Sequence, residues 1–203
     1  GLQDDYGHGT HVAGIIGGSG ASAIDLGGKR DMRGIAPGVN LINLRVLDRE
    51  GFGTDAQVIA AIERTIQLKE RYNIRVANLS LGRPVYESYT QDPLTQAVEA
   101  LWRKGIVVVV SAGNYGRDDT MGTKGYGTIT SPGNHPLVIT VGATRTMNTY
   151  ERGDDQMASY SSKGPTAIDH VVKPDLVAPG NVIASAMYRK DTLMPSLYPA
   201  NIV

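Results

Sequence analysis

Short apolar runs alternate with segments of helical periodicity along the chain. The apolar runs are rich in β-branched residues and leucine and are bounded by glycine, proline or polar residues, which predicts strands. They are residues 39–46, 74–81, 106–111, 137–141 and 176–184. Residues 54–71 and 93–104 carry apolar side chains near helical spacing, which predicts two helices. Thr54 is predicted to be the N-cap of the first helix, and Asp92-Pro93 to open the second.

This alternation of strands and helices indicates the fold class. Strand–helix–strand units joined by short Gly/Pro connections are typical of a parallel sheet. We therefore predict an α/β fold, with helices on both faces of the sheet, in one domain over residues 1–203. Residues 106–111 are apolar without alternation, which predicts a strand buried on both faces.

Composition excludes several classes of function. The 20 Lys+Arg balance the 20 Asp+Glu, so no overall positive field favours nucleic acid or an acidic membrane. No apolar run approaches the ~20 residues that span a bilayer. Cysteine is absent, which excludes disulfides and thiolate chemistry. The first residues lack the basic and apolar regions of a signal peptide.

Two glycine-rich segments are candidates for chemistry. The first is His8-Gly9-Thr10-His11, whose two histidines could be a metal pair, although zinc-protease helices space them i, i+4 with a Glu between. Glycine on both sides of His8 allows a ligand or backbone to approach the imidazole closely. The second is Gly113-Asn114 after an apolar strand, a pair that by itself is typical of a turn.

Together these segments resemble the motifs of subtilisin-like serine proteases. His8-Gly9-Thr10-His11-Val12-Ala13-Gly14 is similar to the histidine motif of that family, and residues 111–116 to the segment ending in its oxyanion asparagine. The resemblance implies that His8 is the general base, that His11 packs, and that Asn114 donates to the oxyanion. Its fold would be subtilisin-like, and its partner a protein or peptide substrate.

The resemblance also implies a pocket for the substrate side chain. Residues 78–82 are similar to a strand that pairs with the substrate backbone, and Ser131-Pro132 to a cis peptide bond. Thr130 would lie near the base of the pocket. The residues that would form its two walls are Ser80, Leu81, Gly82, Ser111, Ala112 and Gly113.

Two catalytic pieces of the family are missing from the sequence. The family's aspartate precedes the histidine motif and its serine follows later, and neither motif occurs here. We therefore expect an incomplete, middle segment of a peptidase domain that is inactive alone and self-associates through its open sheet. The alternative is a non-catalytic peptide-binding or interaction module of the same fold.

The remaining expectations concern calcium, location and isolated side chains. Many members of the family carry calcium, but the loop pairs Asp118-Asp119 and Asp154-Asp155 lack the spaced ligands of a calcium loop and are predicted to be solvated. No other metal is expected. The family resemblance suggests an extracellular protein. His135 and His170 are predicted to lie on the surface.

Overall fold

The computed structural model describes residues 3–21 and 31–201 of the chain. The chain divides into two compact units, one formed by Gly1–Gln57 with Ala184–Val203, the other by Val58–Ile183. The single domain over residues 1–203 stays a prediction.

A mostly parallel sheet forms the centre of the second unit. Its strands are β1 (Val76–Leu79), β2 (Val107–Ser111), β3 (Ile139–Arg145), β4 (Gln156–Met157) and β5 (Leu176–Pro179). β1 pairs with β2, β2 with β3, and β3 with β5 in parallel, while the short β4 pairs antiparallel with β3. The α/β class with a parallel sheet is therefore confirmed.

The two helices predicted from the sequence begin directly after their predicted capping residues, Thr54 and Asp92. The described helices are α1 (His8–Gly17), α2 (Asp55–Tyr72), α3 (Pro93–Arg103) and α4 (Leu193–Leu197), followed by a short 3₁₀ turn (Pro199–Asn201). Thr54 and Gln57 form a reciprocal capping box, in which the Gln57 N–H donates to Thr54 Oγ1 (3.3 Å) and the Thr54 N–H to Gln57 Oε1 (2.8 Å). The Asp92 carboxylate accepts from the Leu94 N–H at 2.9 Å and caps α3.

The core of the second unit lies between α3 and one face of the sheet. Val98 and Leu101 of α3 are fully buried, as are Val108 and Val110 of β2. Val107, on the opposite face, is 37% exposed. The prediction that residues 106–111 are buried on both faces is thus wrong, because an unbroken valine run does not report which of its faces another element covers.

Two other predicted strands differ in the structure. Residues 39–46 form no strand and pair with no other strand among the described residues, and Val39, Leu41 and Ile42 are 43–49% exposed. An apolar run becomes a strand only where a neighbouring strand can complete its hydrogen bonds. The strand predicted at 176–184 ends at Pro179, since Val182 adopts a positive φ of 54° that interrupts extended backbone.

The histidines outside the motif have opposite environments. His170 is exposed, as predicted. His135 is 1% exposed, so its predicted surface position is wrong. It donates and accepts in a buried network, with Nε2 3.1 Å from Glu99 Oε2 and Nδ1 accepting from the Leu137 N–H at 3.2 Å. Both ring nitrogens thus have hydrogen-bond partners, so the imidazole is buried without an unsatisfied polar atom.

Candidate active site

His8 is the first residue of helix α1. Gly7 precedes it with φ 102°, a conformation that L side chains rarely adopt, and a Cβ there would lie 3.4 Å from Thr192 Oγ1. A glycine at this position therefore lets the chain turn sharply into the helix. The histidine, half-buried, is held at the helix N-terminus.

A carboxylate that the sequence did not single out secures this turn. Asp4 Oδ1 accepts from the Gly7 N–H at 2.8 Å, and Asp4 Oδ2 accepts from the Thr10 N–H and hydroxyl, each at 2.7 Å. These bonds satisfy amides that the first turn of a helix leaves open. The available signal was an aspartate shortly before a helix start, where acidic side chains also favour the helix dipole.

The environment keeps His8 neutral over a wider pH range than a free histidine. Burial lowers the pKa of His8 and nearby His11 lowers it further, while Asp4 opposes both by raising it. For Asp4, burial raises the pKa, but the hydrogen bonds from Thr10 and Gly7 and the proximity of His8 outweigh it, so the pKa is lowered. Near neutral pH, Asp4 is therefore ionised, and the nearby His8 imidazole is neutral and available to accept a proton.

The remainder of α1 packs within the same unit. A Cβ at Gly14 would lie 2.8 Å from the backbone nitrogen of Ala186, so this glycine permits close approach of the helix to that segment. The Ser185 hydroxyl donates to the His11 carbonyl at 2.6 Å. His11 itself is half-buried, consistent with the packing position implied for it.

Asn114 lies in an exposed turn directly after β2. Gly113 leads into this turn with φ 107°. The turn is held by Ser162, which is fully buried: its N–H donates to the Gly113 carbonyl (2.9 Å), and its hydroxyl accepts from the Tyr115 N–H (3.1 Å). No sequence pattern pairs Ser162 with a turn so distant in the chain.

The two predicted wall segments, residues 80–82 and 111–113, meet at Thr130. The Thr130 N–H donates to the Ala112 carbonyl at 3.0 Å. A Cβ on Gly82 would lie 2.5 Å from Thr130 Oγ1, and one on Gly113 would lie 2.6 Å from Thr130 Cγ2. Thr130 is 2% exposed and is therefore enclosed between the two glycines; its place at the base of a pocket stays a prediction.

Further contacts join the wall segments to each other and to their surroundings. The Ser111 hydroxyl donates to the Leu81 carbonyl at 3.3 Å, which links the two walls directly. The Ser80 hydroxyl accepts from the Asn78 amide at 2.9 Å. The Ser131–Pro132 peptide bond is cis, as the family resemblance implies.

The predicted residues are distributed over both units. His8 lies in the first unit, and Asn114, Thr130 and the wall segments lie in the second. Within residues 3–21 and 31–201, no group of three or more His, Asp or Glu side chains is arranged to hold a metal ion. Of the loop acids predicted to be solvated, Asp119 and Asp154 are exposed, and Asp119 Oδ1 also accepts from the Lys124 N–H at 2.6 Å.

The sequence profile of the subtilase family, peptidase family S8, matches residues 2–199. The chain therefore belongs to the subtilase family.

Individual relatives agree with this assignment. The chain is 44% identical over 187 residues to serine protease AprX of Bacillus subtilis, covering 89% of this chain and 39% of AprX. It is 34% identical over 185 residues to subtilisin E of the same organism, covering 91% of this chain and 40% of subtilisin E. The solved structure of sphericase superposes with a TM-score of 0.73 at 28% identity, covering 98% of this chain and 63% of sphericase. The chain thus spans about two fifths of the length of these curated relatives.

Proposed function

We propose that the full-length protein containing this chain is a serine endopeptidase that hydrolyses peptide bonds through an acyl-enzyme. The observation that carries the proposal is the enclosure of Thr130 between Gly82 and Gly113, next to the exposed Asn114. Thr130 thus holds the two wall segments together, and a peptide that pairs with the wall at residues 80–82 would bring its scissile carbonyl to the adjacent Asn114 amide.

His8 is the general base in this proposal. Its burial lowers the pKa, so the imidazole is neutral near neutral pH and can accept the proton of the nucleophile. The same nitrogen then returns the proton to the leaving amine. Asp4 supports this role by capping the turn that positions His8.

Asn114 is the oxyanion donor. A neutral side-chain amide stabilises the charge that develops on the carbonyl oxygen without competing for protons. Ser162 bonds the residues on both sides of Asn114, which fixes the backbone from which the donor amide projects.

The substrate is a protein or peptide in an extracellular setting. Residues 80–82 and 111–113 would line the pocket for one substrate side chain, with Thr130 at its base. A relative in Thermus, 36% identical over 190 residues, is named extracellular serine proteinase, which supports this location. No helix within the described ranges is long and apolar enough to cross a membrane.

The isolated 203-residue chain would be inactive as a peptidase. The serine and aspartate motifs of the family do not occur in its sequence, so it lacks a nucleophile for acylation.

Self-association of the chain through exposed sheet positions such as Val76 and Val107 stays a prediction; these side chains are 58% and 37% exposed.

The test is substitution Asn114→Leu in the full-length protein. We expect kcat on a peptide substrate to fall with little change in KM, because the donor acts on charge present only in the transition state. In subtilisin, a relative, loss of this donor lowers kcat by about 10²–10³-fold.

The matched control is Asn40→Leu, at an exposed asparagine of the first unit that should leave kcat and KM unchanged. A rise in KM at constant kcat for Asn114→Leu would reassign this residue to substrate binding. Peptide binding without hydrolysis by the full-length protein would favour the non-catalytic module.

A further inference from the structure

Asp92, which caps helix α3, is a fully buried carboxylate with no role in the candidate active site described so far. It precedes helix α3 and is 0% exposed. Its Oδ1 accepts from Arg83 Nη2 at 2.8 Å and from the Leu94 N–H at 2.9 Å, and its Oδ2 accepts from the Ser131 hydroxyl at 2.8 Å. One carboxylate thus joins three separate stretches of the second unit.

Two of these donors adjoin the proposed pocket. Arg83 directly follows Gly82 of the first wall segment, and Ser131 directly follows Thr130 at the base. The backbones of Arg83 and Ser131 are also paired, with the Arg83 N–H 3.0 Å from the Ser131 carbonyl and the Ser131 N–H 2.9 Å from the Arg83 carbonyl. Asp92 therefore ties the side chains of both residues to the same point, at the junction of wall and base.

The link is built from charge-assisted bonds in a largely dry environment. The Arg83 side chain is 21% exposed, and its second nitrogen, Nη1, donates to the Pro84 carbonyl at 3.0 Å. Its guanidinium carbon lies 5.3 Å from the centre of the Tyr86 ring. Hydrogen bonds between ionised groups, such as that between Arg83 and Asp92, are shorter and stronger than neutral ones. Loss of one partner would leave the other charge buried without compensation. The junction should consequently be stiff.

We propose that Asp92 is a positioning residue that sets the spacing between the wall at residues 80–82 and the base at Thr130, and through it the selectivity for the substrate side chain. This inference rests on the proposed peptidase function. A pocket discriminates between side chains only if its walls hold their places when a poorly fitting side chain enters. A displaced wall would also misalign the backbone of the bound peptide.

The test is Asp92→Asn in the full-length protein, because asparagine keeps an acceptor for the Leu94 N–H and still caps α3. The measurement is kcat/KM on two peptides that differ only in having a large or a small apolar residue before the cleaved bond. We expect the ratio of the two kcat/KM values to move toward one by about tenfold, which is within the range of discrimination that one apolar pocket provides. KM for the preferred peptide should rise by a larger factor than kcat falls.

The matched control is Asp169→Asn. The Asp169 carboxylate holds the same loop, between β1 and α3, by accepting from the Ser88 hydroxyl (2.6 Å) and the Tyr89 N–H (3.0 Å), and it has no bond to Arg83 or Ser131 in the described structure. A purely structural role would lower stability in both variants. Only Asp92→Asn should bring the ratio of kcat/KM for the two peptides closer to one.

A milder variant, Ser131→Ala, removes a single donor to Asp92 and decides the question if Asp92→Asn does not fold. An unchanged selectivity ratio in folded Asp92→Asn, or in Ser131→Ala when the former is unfolded, would overturn this inference while leaving the peptidase function intact. Absence of hydrolysis by the unsubstituted full-length protein would instead overturn the proposed function on which it rests.

Discussion

Gly113→Ala is the substitution that most directly probes the base of the proposed pocket. Gly113 has φ 107°, and an added Cβ would lie 2.6 Å from Thr130 Cγ2 and 2.8 Å from Ser162 Oγ. Neither neighbour can retreat easily, because Thr130 and Ser162 are 2% and 0% exposed. The variant therefore combines backbone strain with overlap in a closed space.

The expected cost is the sum of these two effects. A positive φ at a residue with a Cβ costs about 1–2 kcal/mol, and forcing an extra carbon into a filled core costs about 1–3 kcal/mol. Gly127→Ala provides the matched control, since Gly127 has φ 75° but no heavy atom within 4 Å of a built Cβ. Gly113→Ala should lose about 2–5 kcal/mol and Gly127→Ala only about 1–2 kcal/mol.

The assay is urea unfolding of the full-length variants side by side. With a slope of about 2 kcal/mol per molar, the unfolding midpoint of Gly113→Ala should lie about 0.5–1.5 M below that of Gly127→Ala. Adding Thr130→Ser, which deletes Cγ2, should recover part of this difference. Equal midpoints for the two alanine variants would refute the packing of Thr130 against Gly113.

Two further predictions concern pH. Asp4→Asn keeps a hydrogen-bond acceptor but removes the charge that raises the pKa of His8, so the acid limb of the kcat/KM profile should move to lower pH; an unmoved limb would separate Asp4 from His8. Burial lowers the pKa of His135 below its ordinary 6.5, although Glu99 opposes this, so the unfolded state binds more protons and the free energy of unfolding should fall as pH drops below that value. His135→Gln should flatten this fall in urea unfolding at a series of pH values, and an undiminished slope would contradict the assignment.

The sequence predicted the elements that carry strong local signals. Thr54 and Asp92 are capping residues whose side chains bond the first turns of their helices, so the helix starts follow from the chain itself. Strands β1 and β2 were found because their apolar runs are bounded by turn residues. Residues 39–46 have the same composition but no pairing strand among the described residues, and composition does not register that difference.

The site was predictable only where a motif is contiguous. His8 and Asn114 stand in short glycine-rich motifs that a family resemblance can locate. Asp92 and Ser162 act through contacts with residues far along the chain, and only folding brings those partners together. His135 was misplaced for the same reason, since its burial depends on Glu99 in helix α3.

In the proposed function, His8 of this chain is the general base of an acyl-enzyme peptidase. The most direct measurement is the rate at which a fluorophosphonate labels the active serine of the full-length protein, compared between the unsubstituted form and His8→Ala. Removal of a general base should slow labelling by about 10²–10⁴-fold while the protein stays folded. Labelling of folded His8→Ala at the unsubstituted rate would contradict this role of His8.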